Sequence, residues 1–250
     1  MGYVVHTEDS EPVEDFAIAY SEAAMQCRTA YDILRLLKKL TLDLGYRYFA
    51  VYRLPGDLGD DFADITLVSN WPPELVRAYD EHRLLPASPM IKALRETTRP
   101  VTWNVADLNS NRADGADELV ISLFREFGLL SGTCFPVHDA RGRRGAVSFT
   151  GERKPCSLNE QVQLAWLCNL IFQQADATRS EAERSLPKLT ERETQCLVWT
   201  AAGKTSPEIA VILELSEHTV NHYLASSCQK LSAVNRAHAV AKALRLGYID

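Results

Sequence analysis

Residues 189–231 read LTERETQCLVWTAAGKTSPEIAVILELSEHTVNHYLASSCQKL. Two capping boxes punctuate the stretch. Thr190 is followed three residues on by Glu193, and Thr205 by Glu208 with Pro207 in the first turn. In such a box each side chain satisfies a backbone donor that the helix start leaves open. Ser216 opens a further helix, and Asn235, just beyond the stretch, opens a fourth. The spacing predicts helices over residues 206–213 and 217–231, separated only by Glu214-Leu215-Ser216. Two helices on so short a turn make a helix-turn-helix.

Ile209, Ile212, Leu215, Val220, Leu224 and Leu231 supply the apolar seam of that motif, which leaves His218, Asn221, His222, Ala225, Ser226 and Gln229 facing outward. A face of hydrogen-bonding side chains without carboxylates suits a helix laid in a major groove, where donors and acceptors read base edges. Asparagine is the natural bidentate partner of adenine. Lys204, the helix start at Thr205-Ser206, and Lys230 are candidates to hold phosphates, by charge and by free backbone N–H groups. Thr219 and Tyr223 complete the candidate DNA-binding set. On pattern alone the alternative is a solvated helical hairpin within a bundle. Gly203-Lys204-Thr205 is no phosphate loop, because position 198, where that motif needs its earlier glycine, is Val198 and no buried strand precedes it. His218 and His222 stand four apart, but the glutamate of the metalloprotease helix motif and a third ligand are both missing, so no metal is expected.

Outward from this tail, the chain has 250 residues, 46% hydrophobic and 24% charged, the composition of a globular protein of one or two domains. No apolar run is long enough to span a bilayer. Residues 1–14 are acidic and lack a basic region followed by an apolar stretch, so no secretory leader is expected and the protein is read as cytoplasmic. The cysteines at 27, 134, 156, 168, 196 and 228 form no C-x-x-C pair and read as small buried hydrophobes in a reducing compartment. The net charge of −6 is uneven: residues 188–250 carry 7 Lys/Arg against 6 Asp/Glu, and the rest 20 against 27. Repulsion from a polyanion is therefore concentrated in the first part of the chain.

In that first part, residues 17–44 read as one helix by apolar spacing, 46–54 as an aromatic strand, 64–69 as a second strand, and Pro72-Pro73 as the start of a helix to about Glu81. A short helix over 90–96, an extended piece over 101–103, a polar loop over 109–114 and a helix over 118–127 follow. Strands over 132–137 and 146–150 are joined by a hairpin-type loop, and Ser157 with Glu160 caps a long helix to Glu183. The expected class is α+β: an N-terminal α/β/α sandwich, an antiparallel sheet covered by helices, plus a C-terminal all-α four-helix domain. Domain boundaries are placed at 13–180 and 188–250, with a polar linker ending in proline at 181–187.

The tail resembles the DNA-binding domain of LuxR-type regulators. Leu189, Thr190, Arg192, Glu193, Leu197, Gly203, Lys204, Ile209, Ala210, Leu215, Ser216, Thr219, Val220, Lys230 and Leu231 carry the likeness. The resemblance implies that Asn221, His222 and Ala225 face the bases and that dimers form partly through the last helix, about residues 236–246. The N-terminal part resembles the quorum-sensing branch of the same family through Trp71 and Tyr79, Ser88-Pro89, Trp103, Gly128-Leu129, Gly132, Pro136, Ala140-Arg-Gly142, Gly145 and Ser148. That likeness implies a pocket for an acyl-homoserine lactone, with Tyr52, Trp71, Leu75, Tyr79, Ser88, Trp103, Leu129, Cys134 and Ser148 as its expected contacts.

Two positions depart from the pattern. The family usually has tryptophan, a donor to the lactone carbonyl, where this chain has Leu75, and aspartate, an acceptor from the amide N–H, where it has Ser88. An unpaired buried carbonyl costs roughly 1–3 kcal/mol and a charged acceptor adds more than a neutral one. Together the changes weaken a lactone by about two orders of magnitude or more, while Trp71, where the family often has tyrosine, offers a compensating donor. The expectation is a homodimeric regulator on an inverted-repeat DNA site, controlled by an acyl-homoserine lactone, a related amide or another small signal, with no cofactor and no membrane partner. The alternatives are a regulator that needs no ligand, or an interaction module forming mixed dimers with other regulators. No catalytic constellation is present: His138 has no paired nucleophile, and Cys134 falls in a strand.

Overall fold

The computed structural model describes residues 11–56, 60–140, 142–183 and 189–249. The chain divides into two compact units, residues 1–179 and 180–250. The expected turn at 55–61, hairpin loop at 138–145 and linker at 181–187 fall in part on residues 57–59, Arg141 and 184–188, which lie outside the described residues.

The first unit is built on a five-stranded sheet in the order β2-β1-β5-β4-β3, with every neighbouring pair antiparallel. The strands are β1 (Tyr48–Arg53), β2 (Thr66–Ser69), β3 (Val101–Asn104), β4 (Ser131–His138) and β5 (Arg144–Gly151). Alternation along them sorts side chains to two faces. Phe49, Val51, Phe135, Val147 and Phe149 join one buried cluster, beneath α1 (Glu11–Gln26), α2 (Ala30–Asp43) and α8 (Leu158–Glu183). Tyr48, Ala50, Tyr52, Cys134 and Ala146 join the other, beneath α3 (Phe62–Ile65), α4 (Pro73–Glu81), α5 (Pro89–Glu96), α6 (Val105–Asn109) and α7 (Asp117–Glu126). The result is the α/β/α sandwich.

Three expectations are corrected. Residues 17–44 are two helices, not one, because Thr29 and Asp32 form a capping box: the Asp32 carboxylate accepts from the Thr29 N–H at 2.9 Å and the Thr29 hydroxyl accepts from the Asp32 N–H at 3.1 Å. Apolar spacing continues on both sides and hides that break. Residues 62–65 form a helical turn rather than the start of a strand, because the Asp80 carboxylate accepts from the N–H groups of Phe62 and Ala63, at 2.7 and 3.1 Å. The polar loop expected over 109–114 starts one residue later, because Asn109 ends a short helix, α6, which Asn104 caps.

Gly132 on β4 has a definite steric reason: a Cβ there would run into the carbonyl oxygen of Phe149 on the paired strand. A charged cluster ties the far side of the sheet to α8. Asp176, 2% exposed at its side chain, is held by Arg53 Nε at 2.6 Å and Arg143 Nη2 at 2.5 Å, and Asp139 meets Arg143 at 2.7 Å.

The second unit consists of α9 (Glu191–Ala201), α10 (Ser206–Leu213), α11 (Glu217–Lys230) and α12 (Arg236–Arg245). Leu197, Ile209, Val220, Ala239 and Ala243 meet in its core, each with no exposed surface. Gly203, at φ +80°, provides the left-handed residue that closes α9. The turn between α10 and α11 uses Glu214 in the same region, at φ +55°.

Candidate functional site

Burying Val220 and Leu224 fixes which side of α11 faces away from the core. The exposed residues are Glu217, His218, Asn221, His222, Ala225 and Gln229, an i, i+3/i+4 stripe along one side of the helix. The structure thus brings His218, Asn221, His222 and Ala225 together at the surface. Other members of the expected set are engaged within the protein, some at the surface and some toward the core. The Thr219 hydroxyl shares a hydrogen bond of 2.7 Å with the cap Ser216, and Tyr223 packs half-buried on the core. Ser206, 6% exposed, donates to Asn221 Oδ1 at 2.7 Å. Lys204 reaches Glu208 at 3.4 Å on the surface, and the same carboxylate accepts from the Thr205 N–H at 2.8 Å.

Ser226 and Lys230 are directed toward Glu193 rather than outward. The Glu193 carboxylate is buried, 3% exposed, and accepts from Ser226 Oγ at 2.6 Å, Lys230 Nζ at 2.8 Å and the Thr190 N–H at 2.6 Å. Burial alone pushes this carboxyl upward, but the hydrogen bonds from Lys230, Ser226 and Thr190 outweigh it and hold the pKa at about 2. An anchored charge therefore locks α11 to α9. The sequence showed Glu193 only as a capping residue; its second duty depends on residues 33 and 37 positions further on.

In the first unit, a cavity of about 60 Å³ lies between the sheet and the layer of α3 to α7. Of the nine expected contacts, Tyr52, Trp71, Tyr79, Ser88, Trp103, Cys134 and Ser148 line it. Leu75 and Leu129 do not: both have no exposed surface and belong to the packed core around the cavity. Sequence reasoning missed Phe62, Phe124, Asn109 and Thr150 among the lining residues. Thr150 was open to detection, because it lies two residues from Ser148 on the same strand face.

The walls are aromatic and uncharged. Phe62 stacks on Trp71 with centroids 4.7 Å apart, and Phe124 meets Trp71 edge-on at 5.7 Å and Tyr79 at 5.9 Å. No Asp, Glu, Lys, Arg or His is among the lining residues. Burial pushes the Tyr52 and Tyr79 phenols up and the Cys134 thiol up to about 12, so all three are neutral at physiological pH. Most lining polar groups have partners in the protein. Tyr52 Oη lies 3.2 Å from Cys134 Sγ, Ser148 Oγ donates to the Ala50 carbonyl at 3.3 Å, and Ser88 Oγ caps α5 by accepting from the Ile91 N–H at 3.5 Å. The Leu84 carbonyl accepts from Tyr79 Oη at 3.4 Å and from the buried Arg112 Nη2 at 2.7 Å.

Two lining groups lack such partners. Among the described residues, three buried side-chain polar atoms have no hydrogen-bond partner, and two of them, Trp71 Nε1 and Thr150 Oγ1, belong to residues of this cavity. An orphaned buried polar atom costs roughly 1–3 kcal/mol, so two residues of the cavity lining carry polar groups that the protein itself leaves unsatisfied. Among the described residues, no three His, Cys, Asp or Glu side chains are grouped to hold a metal, and no helix is long and apolar enough to cross a membrane.

Comparison with known proteins agrees with this geometry. Residues 29–175 match the family described as autoinducer binding domain, and residues 187–243 match the family described as bacterial regulatory proteins, luxR family. The chain is 33% identical over 242 residues to the transcriptional activator protein AhyR of Aeromonas hydrophila, covering 94% of this chain and 93% of that one. It is 30% identical over 196 residues to the transcriptional activator protein LuxR of Aliivibrio fischeri, covering 75% and 76%. A crystal structure of Escherichia coli SdiA shares the fold, with a TM-score of 0.73 at 23% identity over 94% of this chain and 98% of that one. AhyR and LuxR are transcriptional activators, not enzymes, and the chain belongs to the LuxR family of quorum-sensing transcriptional regulators, with an autoinducer-binding domain followed by a LuxR-type helix-turn-helix.

Proposed function

We propose that this chain is a cytoplasmic homodimeric regulator that lays α11 in the major groove of an inverted-repeat site and responds to a small neutral signal held in the N-terminal cavity. The observation that carries the DNA reading is the exposed stripe His218-Asn221-His222-Ala225 on the second helix of a helix-turn-helix. A two-fold protein reads a two-fold site. Apolar surface for self-association is available on α8, where Leu158, Val162 and Trp166 are 76, 68 and 65% exposed at four-residue spacing, and at α12, where Leu244 is exposed.

The signal reading rests on the orphaned Trp71 Nε1 and Thr150 Oγ1 and on walls without charge. A charged ligand would be desolvated there without a counter-charge. A neutral ligand with a carbonyl oxygen, an acyl-homoserine lactone or related amide included, finds a donor in Trp71 in place of the tryptophan missing at Leu75. Ligand that binds only the folded form stabilises it by mass action.

The test is selection of duplex sites by the full chain, followed by binding measurements on Asn221→Ala/His222→Ala. We expect loss of specific binding with an unchanged thermal transition, and for the parent a log–log salt slope of several units. Unchanged specific affinity in the double variant would remove α11 from the interface. For the signal, N-acyl-homoserine lactones and their ring-opened acids are compared by thermal shift; the neutral lactones should stabilise the parent protein and lose that effect in Trp71→Phe, and stabilisation by the acids would contradict a neutral site.

A further inference from the structure

Asn221 lies on the exposed stripe of α11, yet its amide is anchored. Ser206 is the first residue of α10 and is 6% exposed; its hydroxyl donates to Asn221 Oδ1 at 2.7 Å, across fifteen positions of sequence. Among the described residues, no hydrogen bond ties His218, His222 or Gln229 to another helix, so Asn221 is singled out on that face. The bond depends on α10 and α11 being packed together through Ile209, Val220 and Leu224.

A side-chain amide has an acceptor edge, the oxygen, and a donor edge, the two N–H of Nδ2. With Oδ1 turned to Ser206, the edge left to solvent is the donor edge. We infer that Ser206 is a positioning residue for DNA recognition: it fixes the Asn221 amide so that Nδ2 faces the base edges, and so sets which bases Asn221 accepts. Guanine presents O6 and N7 and thymine O4 as acceptors in the major groove, whereas cytosine presents only its N4 donor. Bidentate pairing with adenine uses both edges of the amide, and here one edge is shared with Ser206. The base Asn221 meets is therefore chosen chiefly against cytosine. Fixing the amide before binding also removes part of the ordering cost that a free side chain bears at an interface.

The inference rests on α11 as the DNA-facing helix, and the experiment separates the two. Full-length protein is titrated against its selected site and the complete set of single-base substitutions of that site, with random duplex DNA as reference. Ser206→Ala frees the Asn221 amide, and the cytosine substitution at one position should be discriminated about three- to tenfold less, the size of one net hydrogen bond. Affinity for random duplex should stay the same. Ser206→Thr, which restores the hydroxyl, should restore the discrimination. Asn221→Asp keeps an oxygen for Ser206 but presents an acceptor outward, and should move the preference at that same position toward cytosine.

Should Ser206→Ala weaken every site equally, or leave the base preference intact while Asn221→Ala erases it, the positioning role is overturned and α11 remains the reading helix. Should Asn221→Ala leave the preference at every position intact, α11 does not read the site and both conclusions fall.

Discussion

Glu193→Gln isolates the charge that locks α11 to α9. In the native protein the carboxyl is held at about 2 by Lys230, Ser226 and Thr190, against an ordinary value of 4.5. At about 1.4 kcal/mol per pH unit, that difference is worth about 3 kcal/mol of folded-state stability at neutral pH. Glutamine keeps an oxygen for the same donors but no charge, so the expected loss is about 2–3 kcal/mol, near a hundredfold in the local opening equilibrium. Because the folded value is depressed, the stabilisation is complete above about pH 4.5 and disappears as pH falls toward 2. Hydrogen exchange of the full chain, read on amides of residues 191–230, measures this opening directly. In the parent, protection should fall between pH 5 and 2.5 more steeply than in Glu193→Gln. Equal protection of the two proteins at pH 7, or an identical acid dependence, would show that the ion pair with Lys230 contributes no net stability and refute the reasoning.

Four further perturbations test other parts of the molecule. Leu75→Trp inserts a larger side chain at a position with no exposed surface that does not line the cavity, so without ligand it should destabilise by about 1–3 kcal/mol in urea titration; a neutral result would mean that the cavity takes up the indole. Ser88→Asp keeps a capping acceptor for the Ile91 N–H but puts a carboxylate on a buried, uncharged wall, so the melting temperature should fall at pH 7 and recover toward the parent value as the pH is lowered and the carboxyl is protonated. Glu214→Gly relieves a non-glycine residue at φ +55° and should raise stability by about 0.5 kcal/mol after the entropy that glycine costs; a lower melting temperature would mean that the Glu214 side chain contributes more than its backbone strain. Asp176→Ala removes the buried acceptor of Arg53 and Arg143 and should cost about 3–5 kcal/mol in chemical unfolding, whereas a loss below about 1 kcal/mol would mean that solvent reaches those guanidinium groups freely.

Local chemistry was legible in the sequence at the C-terminal helix starts, where one short stretch held all the interacting parts. Thr190 with Glu193, Thr205 with Glu208, Ser216 and Asn235 mark the four starts of the C-terminal helices because each cap closes on backbone within the same turn. Aromatic and β-branched composition in 46–54, and two short runs at 132–137 and 146–150 either side of a hairpin-type loop, likewise disclosed the central strands. Two breaks were not visible, one made by a distant partner and one local but masked by its surroundings. Asp80 converts residues 62–65 into a helical turn from eighteen positions away, and the Thr29–Asp32 box interrupts an apolar rhythm that continues through it.

The sequence by itself determined that a polar-faced helix follows a tight turn near the end of the chain. Only the tertiary structure decided that Leu75 packs beside the cavity rather than lining it, that Thr150 and Trp71, which line it, carry orphaned polar atoms, and that Ser226 and Lys230 serve Glu193 while Ser206 holds Asn221. The physical reason is one of range: caps and periodicity are satisfied within a few residues, whereas burial and hydrogen-bond pairing depend on which distant segments the core brings into contact.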